Sequence, residues 1–336
     1  MRSSSKTLVG GVAVLFLGSV LLGDLRVFTV ALVLALRWAS QPIVSAYLEA
    51  HSPTPECERY FETKSDFKRK ALFPSVFDPP QEGEDEIDLS VIVPAYREEQ
   101  RLGKMLDETV EYLEARRRQL GGKFAWEIIV VDDGSPDGTF KLALEYTDRF
   151  SSDRVRVLKL ERNGGKGGAV RKGMLRSRGK MVLMADADGA TKFSEVEKLE
   201  RALGKLKGGD GFAAGSRAHL VQANARASGL RGFVSRAFQT LFVTMLVPGG
   251  IRDTQCGFKL FTKGAVQKIF PLQRMNGWAF DCELLFLARK RFDLPVLEVA
   301  VDWTDVDGST LSVADASLEM ARDICVMSFM FAVGLW

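Results

Sequence analysis

Cysteine and histidine are scarce in this chain of 336 residues, which has four cysteines and two histidines. The cysteines are scattered and none belongs to a CxxC pair. A disulfide framework and a zinc site are therefore not indicated, and the pattern suits a reducing compartment. His51 and His219 leave few candidates for a reaction that depends on a histidine base. Neither a GxSxG nor an HExxH motif occurs, and these are signatures of serine hydrolases and zinc proteases.

The chain also lacks a large excess of charge of either sign. Its 46 basic and 43 acidic residues give a formal net charge of +3. This balance gives no general case for nucleic-acid binding, and we expect no nucleic-acid partner. Hydrophobic residues make up 46% of the chain, which is enough for the core of one large domain or two modest ones.

The N-terminus carries a long apolar stretch. Residues 7–23 and 27–39 are apolar, and Asp24 and Arg26 interrupt them. The first run is near the lower length limit for a transmembrane helix, and charges between the runs favour an interface. We therefore expect residues 1–40 to form an N-terminal membrane anchor, with a short hairpin and a cleaved secretory signal as alternatives. Basic residues flank the stretch on both sides, so the positive-inside rule does not set its orientation.

The rest of the chain is organised as a connector and an α/β domain. Residues 41–86 predict a juxtamembrane linker, because residues 73–86 combine three prolines with an acidic cluster. From residue 87, short apolar strands alternate with amphipathic helices. This alternation predicts an α/β domain with a largely parallel sheet, which we place at residues 87–311.

Three polar motifs follow predicted strands of this domain. They are PAYRE (94–98), DDGS (132–135) and DADGA (186–190). In open α/β sheets, ligands bind beyond the carboxyl ends of the strands. Asp186 and Asp188 lie on one side of an extended segment, so two carboxylates and a substrate's phosphates can bind a hard divalent cation. An ordinary turn rich in aspartate and glycine is the alternative for this motif alone.

A glycine-rich segment, RNGGKGGAVRKG (162–173), lies between the second and third of these motifs. Its glycines would let the backbone around Lys166 approach a phosphate at a helix N-terminus. It is not a Walker loop, because Gly167 follows the lysine where serine or threonine is required. A flexible turn before a solvated basic helix is the alternative.

Two apolar segments near the C-terminus predict helices at a surface or in a core. Residues 230–246 place leucine, phenylalanine and valine on one helical face, with polar residues off that face. This pattern fits an amphipathic helix in the bilayer interface or a helix that faces the core. We expect residues 312–336 to form an apolar, membrane-associated helix, and a helix that closes the domain is the alternative.

Together these motifs resemble the inverting glycosyltransferases of the GT-A fold, which is Rossmann-like. Later blocks narrow the resemblance to the dolichyl-phosphate β-glucosyltransferases; they are GSRAHL (215–220), IRDTQCGFKLF (251–261) and WAFDCELLFLARK (278–290). The resemblance implies transfer of glucose from UDP-glucose to dolichyl phosphate, with inversion, for N-glycan precursor assembly. It also implies Mg²⁺ or Mn²⁺, a lipid bilayer as partner, and an endoplasmic-reticulum membrane location with the catalytic domain facing the cytosol.

The resemblance assigns candidate roles to residues of this chain. The residues implied in binding the nucleotide sugar are Pro94, Ala95, Tyr96, Glu98, Asp132, Asp133, Lys166, Arg171 and Asp186. The metal would be held by Asp186 and Asp188. The acceptor phosphate would contact Arg217, Arg231 and Ser235. The residues implied in catalysis are Asp186, Asp188, Arg217, Arg231, Asp253, Asp281 and Glu283.

The chemistry of the acceptor bears on the roles of Asp281 and Glu283. A sugar hydroxyl needs a base to remove its proton, whereas a lipid phosphate is already an oxyanion at neutral pH. Arginine can hold such an oxyanion, so we predict no essential general base. Dolichyl-phosphate mannosyltransferases, which use GDP-mannose, and other polyprenyl-phosphate glycosyltransferases are the near alternatives. A non-catalytic membrane protein that binds nucleotide sugars is the alternative of another class.

Overall fold

The structure is a computed structural model, and it describes most of the chain. The described residues are 37–41, 43, 60–62, 70–79, 86–206, 209–219, 250–306, 313–332, 334 and 336. The chain divides into two compact units. One comprises Met1–Ser52 with Thr310–Trp336, and the other comprises Pro53–Ser309. The domain boundaries expected at residues 40, 86 and 311 stay predictions.

The larger unit is built on a mixed sheet. The described strands are β1 (Tyr60–Glu62), β2 (Lys70–Leu72), β3 (Leu89–Ala95), β4 (Trp126–Asp132), β5 (Val155–Lys159), β6 (Met181–Ala185), β7 (Phe212–Ser216), β8 (Phe258–Thr262) and β9 (Val296–Ala300). Seven of them form one sheet in the order β5-β4-β3-β6-β8-β7-β9, and β1 and β2 form a separate antiparallel pair. All pairings in the large sheet are parallel except those of β8, which runs antiparallel to β6 and β7.

The helices follow the strands as the alternating pattern predicts. They are α1 (Leu102–Gln119), α2 (Thr139–Phe150), α3 (Lys166–Met174), α4 (Val196–Leu203), α5 (Lys263–Ile269), α6 (Phe280–Phe286) and, in the smaller unit, α7 (Val313–Ala332). In α1, buried residues recur every three or four positions from Leu102 to Leu113, so one face of this helix contributes to the core. The α/β fold with a largely parallel sheet is confirmed.

The hydrophobic character of the central strands explains their position. All seven residues of β4 are buried, as are all of β3 except Pro94. Strands that are covered on both faces read as continuous apolar runs, and this is the pattern of parallel strands between helices. The core therefore lies on both faces of β3, β4 and β6, and only the strand ends carry polar groups that a ligand can reach.

A buried ionic cluster stabilises the amino ends of these strands. Glu127 accepts hydrogen bonds from Ser90 Oγ at 2.6 Å and from the backbone and side chain of Arg178 at 2.8 Å, and it also pairs with Arg156. Burial alone would raise the pKa of Glu127, but the two arginines hold it below its ordinary value. Because every partner is charged or polar and well placed, the cluster joins β3, β4 and β5 at the edge opposite the polar motifs.

The smaller unit contains α7 and the helical residues 37–41. The guanidinium of Arg322 in α7 lies 4.9 Å from the ring centroid of Trp38 and donates to Gln41 Oε1 at 3.2 Å. Within the described ranges, none of the helices combines the length and the apolar character that a membrane span requires. Nearly all of the predicted anchor and the predicted helix at 230–246 lie outside the described residues. The C-terminal helix is found at Val313–Ala332.

Candidate active site

The carboxyl ends of β3, β4 and β6 meet at one edge of the sheet, as predicted. β3 ends at Ala95, which pairs in register with Asp132, the last residue of β4. β6 ends at Ala185, directly before Asp186, and runs parallel to β3. The three polar motifs are therefore brought together at the edge where α/β sheets bind ligands.

Asp186 and Asp188 line one pocket at this edge, together with Arg217 and Trp303. The Oδ1 atom of Asp188 accepts a hydrogen bond from the backbone of Ala190 at 3.0 Å. Burial, followed by repulsion from Asp186, raises the pKa of Asp188 above its ordinary value. Two half-buried carboxylates that repel each other are suited to share a divalent cation, so the residues present fit the predicted metal site.

Gly257 gives the Asp186 carboxylate room to lie where it does. A methyl group on Gly257 would overlap all three terminal atoms of the Asp186 side chain. The carboxylate thus rests directly against backbone at this position, and any larger residue would have to move it. Gly257 was not among the predicted site residues, although it lies within the IRDTQCGFKLF block.

Lys166 forms an ion pair with Asp186. Its ammonium nitrogen lies 2.6 Å from Asp186 Oδ1 and 5.6 Å from the ring centroid of Trp278. Burial would lower the pKa of Lys166, but attraction to Asp186 and then to Asp281 raises it above its ordinary value. The lysine therefore stays charged, and its positive charge is adjacent to the predicted metal site.

Asp132, which ends β4, and Asp133, which follows it, have different environments. Asp133 accepts hydrogen bonds from the backbone of Gly164 at 2.7 Å and Gly165 at 3.0 Å, and so fixes the glycine-rich segment. Asp132 accepts one bond from the backbone of Ser135 at 3.3 Å through Oδ1. Its buried Oδ2 has no hydrogen-bond partner among the described residues. Since buried acceptors are almost always satisfied, this oxygen is suited to accept a hydrogen bond from a ligand or from an ordered water.

The glycine-rich segment serves packing as well as access. A side chain at Gly165 would overlap the carbonyl of Asn276, and one at Gly167 would overlap the carbonyl of Met275 and the ring of Phe280. The backbone of Gly167 donates to the Asn276 carbonyl at 2.9 Å. At these two positions glycine is thus required by the approach of the protein's own backbone, which the phosphate interpretation did not include.

Arg217 and Asp253 form a bidentate ion pair beside the pocket. The Nε and Nη2 atoms of Arg217 donate to the two Asp253 oxygens at 2.8 and 2.9 Å. Burial would lower the pKa of Arg217, but the bond and charge of Asp253 raise it, and Arg217 in turn holds the pKa of Asp253 below its ordinary value against burial. The bonds that the described residues make to the Arg217 guanidinium use Nε and Nη2, so its Nη1 edge is available to an anion.

Asp281 and Glu283 are buried and already bonded within the protein. Asp281 accepts a hydrogen bond from Lys259 Nζ at 2.5 Å. Glu283 accepts from the backbone of Met275 at 2.7 Å and of Arg274 at 2.9 Å. Burial raises the pKa of Glu283 to about 7, although these backbone bonds oppose the shift. Both carboxylates therefore hold neighbouring parts of the chain in place.

The remaining predicted residues have these positions. Pro94 and Ala95 end β3. Tyr96 follows them, with Arg97 5.4 Å from its ring centroid. Glu98 pairs with Arg101 at 2.6 Å. Arg171 donates to the Phe270 carbonyl at 3.2 Å from the last turn of α3. Arg231 and Ser235 lie outside the described residues. Their roles, like those of the other site residues, stay predictions.

Two tryptophans near the site were missed at the sequence level. Trp303 lines the pocket and Trp278 lies beside Lys166. Trp278 is the first residue of a block that was singled out, and Trp303 follows β9 by three positions. The chain has only five tryptophans, so the position of Trp278 within that block was an available signal, whereas Trp303 lies outside every block that was singled out. The pattern could not indicate which cation each ring would face.

Comparisons with known proteins agree on one family. Residues 90–270, over half of the chain, match Glycosyl transferase family 2. The dolichyl-phosphate β-glucosyltransferase of Dictyostelium discoideum is 47% identical over 256 residues, which cover 75% of this chain and 77% of the relative. The enzyme of the same name from Mus musculus is 45% identical over 289 residues, covering 84% and 87%.

Solved structures show the same fold at lower identity. The glucosyl-3-phosphoglycerate synthase of Mycobacterium tuberculosis in complex with UDP aligns with a TM-score of 0.52 and 18% identity, covering 77% of this chain and 87% of that one. Its complex with Mn²⁺ and UDP-glucose aligns with a TM-score of 0.50 at the same identity, covering 76% and 84%. The predicted GT-A fold is thereby confirmed as a GT-A-like α/β fold, and its sheet is mixed rather than wholly parallel.

Proposed function

Because the chain belongs to glycosyl transferase family 2, and within it to the dolichyl-phosphate β-glucosyltransferases, we propose that it transfers glucose from UDP-glucose to dolichyl phosphate. One observation carries this assignment beyond the family. Two carboxylates suited to a divalent cation, Asp186 and Asp188, line the same pocket as Arg217, whose guanidinium has an available edge. A donor diphosphate and an acceptor phosphate can therefore be bound next to each other.

The donor would be held at the ends of β4 and β6. The unpartnered Oδ2 of Asp132 is placed to accept a hydrogen bond from the uracil or the ribose of UDP-glucose. Asp186 and Asp188 would hold Mg²⁺ or Mn²⁺, which would stabilise the charge that develops on the departing UDP. The Mycobacterium tuberculosis neighbour, which was crystallised with Mn²⁺ and UDP-glucose, supports this combination of ligands.

The acceptor would react as an oxyanion. An oxygen of dolichyl phosphate attacks the anomeric carbon of glucose from the side opposite UDP, and the bond to UDP breaks with both electrons going to UDP. The product is dolichyl β-D-glucosyl phosphate, with the configuration inverted. No proton needs to be removed, which agrees with Asp281 and Glu283 being engaged by Lys259 and by backbone groups. Arg217 would hold the attacking phosphate.

The membrane and compartment assignments are part of the same proposal. Dolichyl phosphate resides in a bilayer, and the apolar residues 7–23 and 27–39 and the helix α7 support attachment to one. Since UDP-glucose is made in the cytosol, we place the enzyme on the endoplasmic-reticulum membrane with its catalytic unit facing the cytosol. Protease treatment of sealed microsomes should degrade that unit, and its protection would contradict this orientation.

A radiolabel transfer assay tests the activity. The purified full chain is given dolichyl phosphate and Mg²⁺ with labelled UDP-glucose or, in a separate reaction, labelled GDP-mannose, and label is counted in the organic phase. We expect label from UDP-glucose only, and its loss when EDTA is added. Label from GDP-mannose alone would replace the sugar assignment, and no lipid label from either donor would contradict the proposed acceptor.

A further inference from the structure

Each of the two cations beside the metal motif faces a tryptophan ring. Arg217 Cζ lies 5.3 Å from the ring centroid of Trp303, and Lys166 Nζ lies 5.6 Å from that of Trp278. Both distances are within the range in which a cation is attracted to the face of an indole ring. Arg217 and Trp303 line the pocket of Asp186 and Asp188 together, so this contact is at the site itself.

The guanidinium of Arg217 is restrained on one edge by a carboxylate that is itself restrained. The carboxylate of Asp253 accepts hydrogen bonds from Nε and Nη2 of Arg217, and the backbone N–H of Asp253 donates to Glu298 Oε1 at 3.2 Å. Ser216 Oγ, next to Arg217 in the chain, donates to the same Glu298 oxygen at 2.6 Å. These bonds fix the position of the Asp253 edge. The guanidinium plane can still rotate about that edge, and this rotation is limited by the group that packs against its face.

Trp303 is the residue on that face, and its backbone is joined to the metal motif. It forms a β-bridge with Thr191, and the next residue, Thr304, donates to the Ala190 carbonyl at 2.8 Å. The segment that carries the indole is therefore bound to the chain that directly follows Asp188. Any restraint that the ring places on Arg217 is a restraint relative to the donor side of the pocket.

We propose that Trp303 is a positioning residue for the acceptor, whose indole face holds Arg217 so that its Nη1 edge meets the acceptor's phosphate in line with the donor. This inference rests on the proposed function and adds a residue to it. Trp303 acts through Arg217 and needs no contact with the phosphate. Trp278 stands in the corresponding position toward Lys166 and offers a matched control on the donor side.

The test measures steady-state kinetics of the full chain with Trp303→Leu. At saturating UDP-glucose, kcat/KM for dolichyl phosphate should fall about tenfold, the size of effect expected for a desolvated cation–π contact. The KM for UDP-glucose and the Kd for Mn²⁺, measured by electron paramagnetic resonance without acceptor, should change less than about twofold. Trp303→Phe, which keeps an aromatic face, should recover most of the loss.

Trp278→Leu should give the reverse result, with a raised KM for UDP-glucose and an unchanged acceptor KM. If Trp303→Leu leaves kcat/KM for dolichyl phosphate unchanged, the positioning role is wrong. It is also wrong if the variant weakens the kinetic constants for UDP-glucose and for dolichyl phosphate equally. If that variant does not fold, Trp303→Phe decides, since the proposal requires its smaller ring to raise the acceptor KM alone, by about threefold. A wild-type chain that makes no glucosyl lipid would overturn the proposed function and this inference together. An active wild type whose Trp303→Leu variant keeps the same kcat/KM for dolichyl phosphate would overturn only the inference.

Discussion

At the scale of single residues, Gly257 gives the sharpest prediction about the metal site. The Gly257→Ala variant places a methyl group where the Asp186 carboxylate lies, and that carboxylate is also held by Lys166. We expect the carboxylate to be displaced and the affinity for Mn²⁺ to fall by at least about tenfold, as when groups that orient metal ligands are changed. Titration of Mn²⁺ in the absence of nucleotide measures this directly.

Gly209→Ala is the matched control for this variant, because nothing lies within 4 Å of a methyl group at that position. It should leave the affinity for Mn²⁺ and the turnover unchanged. Equal affinity in Gly257→Ala and the wild type would show that Asp186 moves without consequence. Its assignment as a metal ligand would then have to be abandoned.

Replacement of Lys166 should change the metal affinity in the opposite direction, toward tighter binding. Its ammonium lies 2.6 Å from Asp186 Oδ1, so it opposes a divalent cation at the same carboxylate. In Lys166→Met, the Kd for Mn²⁺ without nucleotide should decrease on the order of fivefold, as expected for loss of a competing ion pair. The KM for UDP-glucose should rise about tenfold if the lysine transfers to the donor's phosphates when the metal binds.

The control for Lys166 is Lys141→Met, which removes a charge from an exposed position on α2. Neither constant should change in that variant. Weaker binding of Mn²⁺ by Lys166→Met would mean that the lysine supports the aspartates rather than competing for them.

Residue patterns revealed the ligand types at this site but not the contacts between them. The aspartates of DDGS and DADGA follow apolar strands, so their placement at the sheet edge follows from the alternation of strands and helices. Asp133 binds the glycine-rich segment and Asp132 does not, and this difference depends on where that segment folds back, which is a tertiary property. Trp303 likewise faces Arg217 only because β7 pairs with β9, which brings the residues after these two strands together.

At the scale of elements, Glu283 on α6 holds the loop that covers the glycines of α3. Its carboxylate accepts hydrogen bonds from the backbone N–H groups of Arg274 and Met275. Met275 and Asn276 in turn contact Gly167. Glu283→Gln keeps an acceptor for these bonds. We expect turnover to fall by less than about tenfold, below the roughly 10²–10⁴-fold that a general base contributes. Total loss of turnover with intact UDP-glucose binding would mean that Glu283 is an essential base.

The same carboxylate predicts a dependence of stability on pH. Its pKa is about 7 in the folded protein against an ordinary value of 4.5, so the folded state binds more protons between these values. The free energy of unfolding therefore falls as pH rises through this window, and the contribution is complete below the unfolded pKa. Between about pH 5 and about pH 8, the Tm of Glu283→Gln relative to wild type should rise. A constant difference in Tm would contradict the assignment.

The elements that were foreseen are those with a local pattern, and the others depend on pairing. β3, β4 and β6 are apolar runs that end at polar motifs, and α1 shows helical periodicity. β8 and β9, which have five residues each, were not foreseen. The antiparallel direction of β8 is fixed by its register with β6 and β7, which no local signal contains.

At the scale of the whole molecule, the described site residues all belong to one unit. Pro53–Ser309 contains the aspartates, Lys166, Arg217 and both tryptophans of the site, whereas the apolar N-terminal runs and α7 belong to the other unit. Under the proposed function, this division would separate two tasks. The larger unit would bind the nucleotide sugar and the metal, and the smaller unit would give access to a lipid acceptor in a bilayer.

A fragment of residues 53–309 tests this separation. It should bind UDP-glucose with Mn²⁺ within about twofold of the full chain, because distant and independent parts contribute additively. Its turnover on dolichyl phosphate in vesicles should fall at least about a hundredfold, since attachment to the same membrane raises the effective concentration of the acceptor. Calorimetric titration and the organic-phase label assay measure the two quantities.

A short-chain polyprenyl phosphate that dissolves in water provides the control for this fragment. Because such an acceptor needs no membrane attachment, fragment and full chain should use it at comparable rates. If the fragment matches the full chain on vesicles as well, residues 53–309 reach the bilayer by themselves. The amphipathic stretch at 230–246, which the fragment retains, would then be the segment to vary next, by replacing Phe238 and Phe242 with serine. If the fragment fails with both acceptors but still binds UDP-glucose, the smaller unit contributes to the transfer step itself.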